Sequence, residues 1–171
     1  MFLVRFLEET DADEYLRLRW EALQSHPVAF GSSWEEEQTH TPESVRPRLR
    51  TVPEGNFMVG AFRERKLIGM AGFVRATQRK ARHKGFLWGV YVTPAERGKG
   101  AAGAILLALL ERVRGYDDLE QVTLSVAVSQ ENARRLYTSL GFETYGYEKN
   151  ALKVGDRYVD EEHQVLWLKP H

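Results

Sequence analysis

The segment from Val90 to Gly103 constrains the fold more than any other part of the chain. The apolar residues Val90, Tyr91 and Val92 predict a buried strand, and a turn and helix start built almost entirely of small residues follow them. The first amides of a helix have no partners within it, and the helix dipole adds positive charge there. The small residues are Gly98, Gly100, Ala101, Ala102 and Gly103. Because they leave the backbone accessible, the segment predicts a site for a pyrophosphate group.

Glycine spacing alone does not identify the ligand of this site. Gly98-x-Gly100-x-x-Gly103 satisfies the dinucleotide-binding fingerprint, which keeps an oxidoreductase among the alternatives. That reading also requires an acidic residue at the end of the next strand, whereas Ser129 and Gln130 stand there. A P-loop is excluded because Lys99 precedes Gly100 and no Gly-Lys-Ser/Thr sequence occurs.

A second motif lies downstream, at residues 132–142. Its sequence, Asn-Ala-Arg-Arg-Leu-Tyr-Thr-Ser-Leu-Gly-Phe, predicts a short helix that carries Tyr137 and ends at Gly141. Together with Arg97-x-x-Gly100-x-Ala102 upstream, this pattern resembles the GNAT superfamily of acetyl-CoA-dependent N-acetyltransferases. The resemblance covers most of the chain and has both motifs in the family's order.

The resemblance implies an α/β (α+β) fold with a central mixed, mostly antiparallel sheet of about seven strands, flanked by about four helices in the order βααβββαβαββ. Hydrophobic patterning places the strands at 2–7, 56–63, 67–76, 84–92, 121–128, 144–154 and 162–168. Helices are predicted at about 10–25, from Ser32 or Ser33 onward, after Gly100, and in the second motif.

Composition adds limits on partners and location. The length fits one domain, residues 1–171, and 43% of the residues are apolar. Lys plus Arg equals Asp plus Glu at 24 each, which gives no support to nucleic-acid or membrane-surface binding. There is no cysteine, so a cysteine-linked acyl-enzyme is excluded and direct transfer is favoured. The apolar start at Phe2 is too short for a signal peptide, and we expect a cytoplasmic protein.

The resemblance also implies which residues hold acetyl-CoA, the expected co-substrate. The backbone of Val90 and Val92, on either side of Tyr91, would pair with the pantetheine arm. Family members often carry an Asn seven residues before the motif tyrosine; Gln130 occupies that position here, and Asn132 is the alternative. The pyrophosphate would lie against Arg97, Gly98, Lys99, Gly100, Ala101, Ala102 and Gly103.

Acyl transfer requires a proton donor for the leaving thiolate and a base for the amine. By resemblance, Tyr137 is the general acid, and a phenol is protonated at neutral pH. The alternative for Tyr137 is a core aromatic residue. Glu37 is the candidate base, with Glu35 and Glu36 beside it, although all three also suit a solvated helix start. His163 is a second candidate, and its alternative is a surface residue.

The acceptor is predicted to be a primary amine of a small molecule or of a peptide or protein. Phe30 and Trp34 would form one wall of its pocket, or alternatively would only anchor helices on the sheet. The closing hairpin at 151–161 presents an edge for a homodimer. A non-catalytic acyl-CoA-sensing module is the remaining alternative function. No metal is expected, because the spacing of His26, His40, His83 and His171 suggests no ligand set.

Overall fold

A computed structural model describes residues 1–170, which form one seven-stranded sheet with helices on both faces. The strands are β1 (Leu3–Phe6), β2 (Phe57–Arg63), β3 (Lys66–Arg75), β4 (Lys84–Val92), β5 (Gln121–Ala127), β6 (Glu143–Val154) and β7 (Arg157–Trp167). The α-helices are α1 (Ala12–Ser25), α2 (Trp34–Glu37), α3 (Pro42–Leu49), α4 (Ala101–Arg114) and α5 (Glu131–Ser139). Single 3₁₀ turns lie at Glu9–Asp11, Pro27–Ala29, Arg79–Ala81 and Pro94–Glu96.

The sheet order is β1-β2-β3-β4-β5-β7-β6, and every neighbouring pair is antiparallel except β4 with β5. The pair β4–β5 is parallel because the chain returns through α4 between the two strands, and parallel neighbours require a crossover connection of this kind. The predicted mixed, mostly antiparallel sheet of seven strands is therefore confirmed.

Each face of the sheet has its own apolar core. Ile105, Leu106 and Leu109 of α4 pack against the first face, together with Leu124 and other residues of the strands. The opposite face carries α1 and α3, through residues such as Leu18 and Leu49. Because side chains alternate along a strand, a residue's neighbours in the chain point to the other core.

Two elements differ from the sequence prediction. The single helix predicted from Ser32 or Ser33 is two helices, α2 and α3, so the order is βαααβββαβαββ. Thr41 accepts a hydrogen bond from the Ser44 amide and Pro42 occupies the first helical position, both of which are helix-start signals in the sequence. Strand β7 begins at Arg157, five residues before the predicted start, because its charged first half pairs with β6 rather than with a core.

Candidate functional site

The strands β4 and β5 separate part-way along the sheet. They pair over Lys84–Phe86 only, and the last pair joins Phe86 to Thr123. Beyond it β4 carries a bulge, because Gly89 and Val90 together oppose the single residue Ala71 of β3, and Gly89 has φ +63°. A bulge bends its strand and increases its twist. The result is a wedge-shaped gap, bounded by 87–92 on one side and 124–127 on the other.

The backbone of Val92 faces this gap. The Thr93 amide donates to the carbonyl of Ile68 at 2.9 Å, so Thr93 faces β3, and strand alternation turns Val92 the other way. The Val92 carbonyl accepts a hydrogen bond from Arg97 Nε at 2.9 Å, which leaves the Val92 amide at the gap. Alternation puts Val90 on the same edge, while the Tyr91 side chain is buried on the α1 side.

The helix α4 begins at the open end of the gap with its amides free. Gly98 and Gly100 have φ of +74° and +86°, a conformation that glycine adopts without steric cost. The first turn has no capping side chain and no acidic residue. The first amide that is hydrogen-bonded within the helix is that of Ala104, which donates to the Gly100 carbonyl. The amides of Ala101, Ala102 and Gly103 are therefore available to an anion.

Two basic side chains next to α4 are held by the protein itself. Besides its bond to Val92, Arg97 lies over the Tyr91 ring at 5.5 Å and its Nη2 is 3.3 Å from Nε2 of His26. Burial and the Arg97 charge lower the pKa of His26, which favours the neutral imidazole. Lys99 donates to the Ala95 carbonyl at 3.1 Å. Both cations lie close to the helix start without occupying it.

Helix α5 places Tyr137 in the core on the α4 side of the sheet. The residue is 6% exposed, and its ring packs edge-on against Phe142 at 5.9 Å. Its hydroxyl makes no hydrogen bond within residues 1–170, unlike Tyr116, whose hydroxyl donates to the Gly55 carbonyl at 3.1 Å. Burial raises the pKa of Tyr137, so the phenol keeps its proton.

The two amide candidates lie at the start of α5. Gln130 is the residue before the first helical turn and is partly buried, whereas Asn132 is the second residue of the helix and is exposed. Neither side chain is hydrogen-bonded to another of the 170 described residues. The structure therefore leaves both amides free.

Arg134, which the sequence analysis did not single out, fixes α5 to the sheet. Its Nε donates to Glu162 of β7 at 2.6 Å and its Nη1 donates to the Val128 carbonyl at 3.1 Å. Burial alone would raise the pKa of Glu162, but hydrogen bonds from Thr144 and Gln164 and the Arg134 charge lower it. No sequence motif marks this pair, because its partners are 28 residues apart and on different elements.

Glu37, the predicted base, is occupied by an ion pair. Its two carboxylate oxygens accept hydrogen bonds from Arg19 Nε and Nη2 at 2.9 and 3.0 Å, and both residues are buried. Burial would raise the pKa of Glu37, but the bonds and charge of Arg19 lower it. A carboxylate held in this way is a poor proton acceptor, so the structure argues against Glu37 as the base. Glu36 instead caps α2 at Ser33, and Glu35 is exposed.

The predicted acceptor-wall residues differ in their placement. Trp34 packs edge-on against Trp20 of α1 at 5.7 Å, which suits a helix anchor. Phe30 lies 6.1 Å from the Tyr91 ring and 5.4 Å from the Arg19 guanidinium, and so borders the strand β4 that forms one side of the gap. The third Arg19 nitrogen, Nη1, is buried without a hydrogen-bond partner.

His163 is part of a hydrogen-bonded chain, which the sequence did not reveal. Its Nδ1 is 2.8 Å from Oγ of Ser125 on β5, and its Nε2 is 2.9 Å from Oε2 of Glu148 on β6. The Tyr145 ring lies 6.0 Å from the imidazole ring. The chain joins β5 to the β6–β7 hairpin, which follows it in sequence beyond α5.

Within residues 1–170 no group of three or more His, Asp or Glu side chains could hold a metal ion, and His171 lies outside these residues. None of the helices at 1–170 is both long and apolar enough to cross a bilayer.

Solved structures that share this fold include three acetyltransferases. An acetyltransferase of the GNAT family from Streptococcus pneumoniae has a TM-score of 0.87 at 19% identity, with 98% of this chain and 99% of that chain covered. The putative acetyltransferase YncA from Salmonella typhimurium, solved with its cofactor acetyl-CoA, has a TM-score of 0.80 at 19% identity and coverages of 100% and 96%. A phosphinothricin acetyltransferase from Sinorhizobium meliloti in complex with acetyl-CoA has a TM-score of 0.81 at 20% identity and coverages of 97% and 88%.

The sequence itself matches a family model. No curated protein matches the chain. The model of the acetyltransferase (GNAT) family matches residues 13–142, which include β4, α4, β5, α5 and the gap they surround. The chain therefore belongs to the GNAT family of acetyltransferases.

Proposed function

We propose that this acetyltransferase moves an acetyl group from acetyl-CoA directly to a primary amine of a small molecule or of a peptide or protein. The observation that carries the proposal is the open edge of β4, which leads through the turn at 93–100 to the uncapped start of α4. Acetyl-CoA has a pantetheine arm and a pyrophosphate, which match a free strand edge and free helix amides respectively. The acetyl-CoA complexes of the Salmonella and Sinorhizobium proteins support the same assignment.

Each part of the gap has a defined task in binding. The amides of Val90 and Val92 would donate to the arm as a neighbouring strand does, and the free amides of α4 would bind the pyrophosphate. The left-handed turns at Gly98 and Gly100 keep side chains away from this position. Gln130 and Asn132 border the same opening with free amides, and either can serve as a further contact.

The chemistry follows from two groups at the gap. When bound, acetyl-CoA supplies a thioester whose carbonyl carbon accepts the amine and whose sulfur leaves as a thiolate. Where the arm ends in the thioester, the hydrogen bond from the Val92 amide would go to the carbonyl oxygen, where negative charge develops. Tyr137 would be the proton donor for the thiolate, since a phenol is protonated at neutral pH and its hydroxyl is not hydrogen-bonded to any other described residue.

The acceptor enters from the α1 side of the sheet, where Phe30 lies beside Tyr91. Aromatic rings attract cations, and Glu148 and Glu161 lie on the same sheet face. We therefore propose that cationic amines are better acceptors than neutral ones. Trp34 packs against Trp20, and both border the apolar cluster that contains Phe30.

The test separates binding from transfer. Calorimetry should show binding of acetyl-CoA and CoA but not of NAD or NADP. A panel of cationic and neutral primary amines should then be assayed with acetyl-CoA, by release of free thiol and by the mass of the acetylated amine. Thiol release that depends on an amine supports the proposal. Binding of acetyl-CoA without transfer to any amine would favour the acyl-CoA-sensing alternative.

We also propose that the protein forms a homodimer and lies in the cytoplasm. Strand β6 is an edge of the sheet, and its Tyr145 and Tyr147 are 61% and 70% exposed, which suits pairing with a second copy. Light scattering after size-exclusion chromatography measures the predicted homodimer. The cytoplasmic location remains a prediction, and fractionation of cells that express the protein tests it.

A further inference from the structure

The chain of Ser125, His163 and Glu148 lies on the sheet face that α4 and α5 do not cover. Leu124 and Val126, on either side of Ser125, are buried in the core beneath α4, so Ser125 points to the opposite face. His163 is the direct partner of Ser125 across β5 and β7, and its side chain is 24% exposed. The chain is therefore accessible from the α1 side of the sheet.

Register places Ser125 at the gap. The last β4–β5 pair is Phe86 with Thr123, and Ser125 is two residues beyond Thr123. Ser125 is thus on the β5 arm where the strands have just separated, and Tyr137 belongs to the core on the other face. Ser125 and Tyr137 therefore lie on opposite faces of the sheet beside the gap.

The hydrogen bonds determine the direction in which a proton can move. An ionised Glu148 carboxylate only accepts, so Nε2 of His163 carries the hydrogen in the 2.9 Å bond. Nδ1 is then the acceptor of the 2.8 Å bond, and Ser125 donates its hydroxyl hydrogen to it. The lone pairs of Ser125 Oγ remain free for a new donor.

We propose that Ser125, His163 and Glu148 form a proton relay that deprotonates the acceptor amine, a proposal that rests on the acetyltransferase function above. An N–H proton of the amine passes to Ser125 Oγ as the Ser125 hydroxyl proton passes to His163 Nδ1. The C–N bond forms, the C–S bond breaks, and the thiolate takes its proton from Tyr137. The imidazolium that results is stabilised by Glu148.

The other groups that face His163 come from β6, β7 and one turn. Glu148 and Tyr145 come from β6, Glu161 comes from β7, and the turn Pro27–Ala29 that contacts β5 and β6 brings no charge. Burial raises the pKa of Glu161, and the Glu148 charge adds to this effect while His163 opposes it.

The first test is independent of activity. Long-range ¹H–¹⁵N NMR of the full-length protein reports which imidazole nitrogen carries the hydrogen and at what pH each ring titrates, with His163→Gln used to assign the signal. The relay predicts the Nε2–H form at neutral pH. It also predicts that Glu148→Gln weakens the preference for the Nε2–H form, because an amide can donate to Nε2 as well as accept from it. Glu143→Gln, on the same strand and also exposed, is the matched control and should leave the tautomer unchanged.

The second test measures transfer to any amine that the panel identifies. Ser125→Ala should lower kcat by about 10- to 100-fold, the scale of general-base catalysis, with acetyl-CoA affinity unchanged. Glu148→Gln should also lower kcat, because the imidazolium loses the carboxylate that accepts its hydrogen bond. Thr123→Ala, two residues earlier on the same face, is the control and should keep kcat.

The outcomes distinguish this proposal from the one on which it rests. An Nδ1–H tautomer, or an unchanged kcat in Ser125→Ala, overturns the relay and leaves the acetyltransferase function intact. A stable acetyl group on Ser125, seen as an added acetyl mass on the protein, would replace the relay by a nucleophilic serine. If no amine is acetylated the proposed function fails, and the NMR tautomer still decides the geometry of the relay.

Discussion

The two sides of the gap between β4 and β5 are built in different ways. The proposed cofactor side, 90–103, presents backbone: a strand edge that includes the Val92 amide and a helix start with no capping side chain. The proposed acceptor side presents side chains from separate elements, such as the Ser125–His163–Glu148 chain and Phe30. A backbone site needs only accessible amides in a fixed local conformation, so one short segment can encode it. A side-chain site depends on strand register.

This difference would allow the acceptor to change while the cofactor stays the same. Substitutions on the acceptor face change side chains without changing the β4 edge or the start of α4. The buried Arg19–Glu37 pair and Arg134–Glu162 pair then hold α1, α2 and α5 in place around the gap. The experiments below separate residues that support the structure from residues that act on the substrates.

The largest expected effect is on stability, in Glu37→Gln. This change leaves the buried Arg19 charge without its anion, and breaking a buried pair costs about 3 to 5 kcal/mol. At this chain length we expect a melting temperature lower by about 2 to 4 °C for each kcal/mol. Urea unfolding and thermal melts check the value. A fully stable Glu37→Gln protein with lost turnover would instead return Glu37 to the role of base.

The same pair predicts a pH dependence. The pKa of Glu37 lies below its ordinary value near 4.5, so the stability it contributes is present above that pH and is lost as the pH falls through the lowered pKa. The stability difference between wild type and Glu37→Gln should therefore shrink in acid. Unfolding curves at neutral pH and at about pH 3 measure the change, and a difference that grows in acid would contradict the assigned pairing.

Tyr137→Phe is expected to lower turnover by about 100-fold or more, because it removes the proton donor and keeps the ring. Acetyl-CoA affinity and thermal stability should stay near the wild-type values, since the hydroxyl makes no hydrogen bond with residues 1–170. Steady-state kinetics with an accepting amine, calorimetry and a melt measure the three quantities.

Tyr116→Phe is the matched control for this prediction. Its hydroxyl donates to the Gly55 carbonyl, so the loss should cost about 1 kcal/mol of stability and leave turnover intact. Unchanged turnover in Tyr137→Phe would remove Tyr137 from the mechanism and leave solvent to protonate the thiolate.

Gly103→Glu should weaken acetyl-CoA binding by about tenfold or more, because it places negative charge beside the pyrophosphate position. Stability should not fall, since acidic residues in the first helical turn favour the dipole and the nearest atom to a new Cβ, Leu136 Cδ1, is 4.0 Å away. Gly103 is preferred to Gly100, whose φ of +86° would strain any other residue. Gly103→Ala is the control, and equal affinity in the two variants would contradict the site.

The cofactor side was predictable because its signals are local. The strand at 84–92, the glycine turn and the helix after Gly100 all follow from residues within a few positions of each other, and the structure has these elements at those places. The fold class followed from the two motifs in order. The split of α2 from α3 was missed, although Thr41 and Pro42 carry the signal for a new helix start.

The acceptor side was not predictable because its contacts are long-range. Glu37 has the composition of a solvated helix start, and only the packing of α1 shows that Arg19 binds it. His163 looked isolated in sequence, since Ser125 and Glu148 meet it through strand pairing across 38 and 15 residues. Register of this kind depends on the whole sheet.

In the proposed complex, acetyl-CoA lies along the β4 edge and ends on the amides of α4. Amide hydrogen exchange of the full-length protein, with and without saturating acetyl-CoA, tests it most directly. We predict slower exchange in peptides that contain Val90–Val92 and Gly100–Gly103, and little change in β6 and the second half of β7. Protection confined to other segments, with 90–103 unaffected at saturation, would contradict the claim.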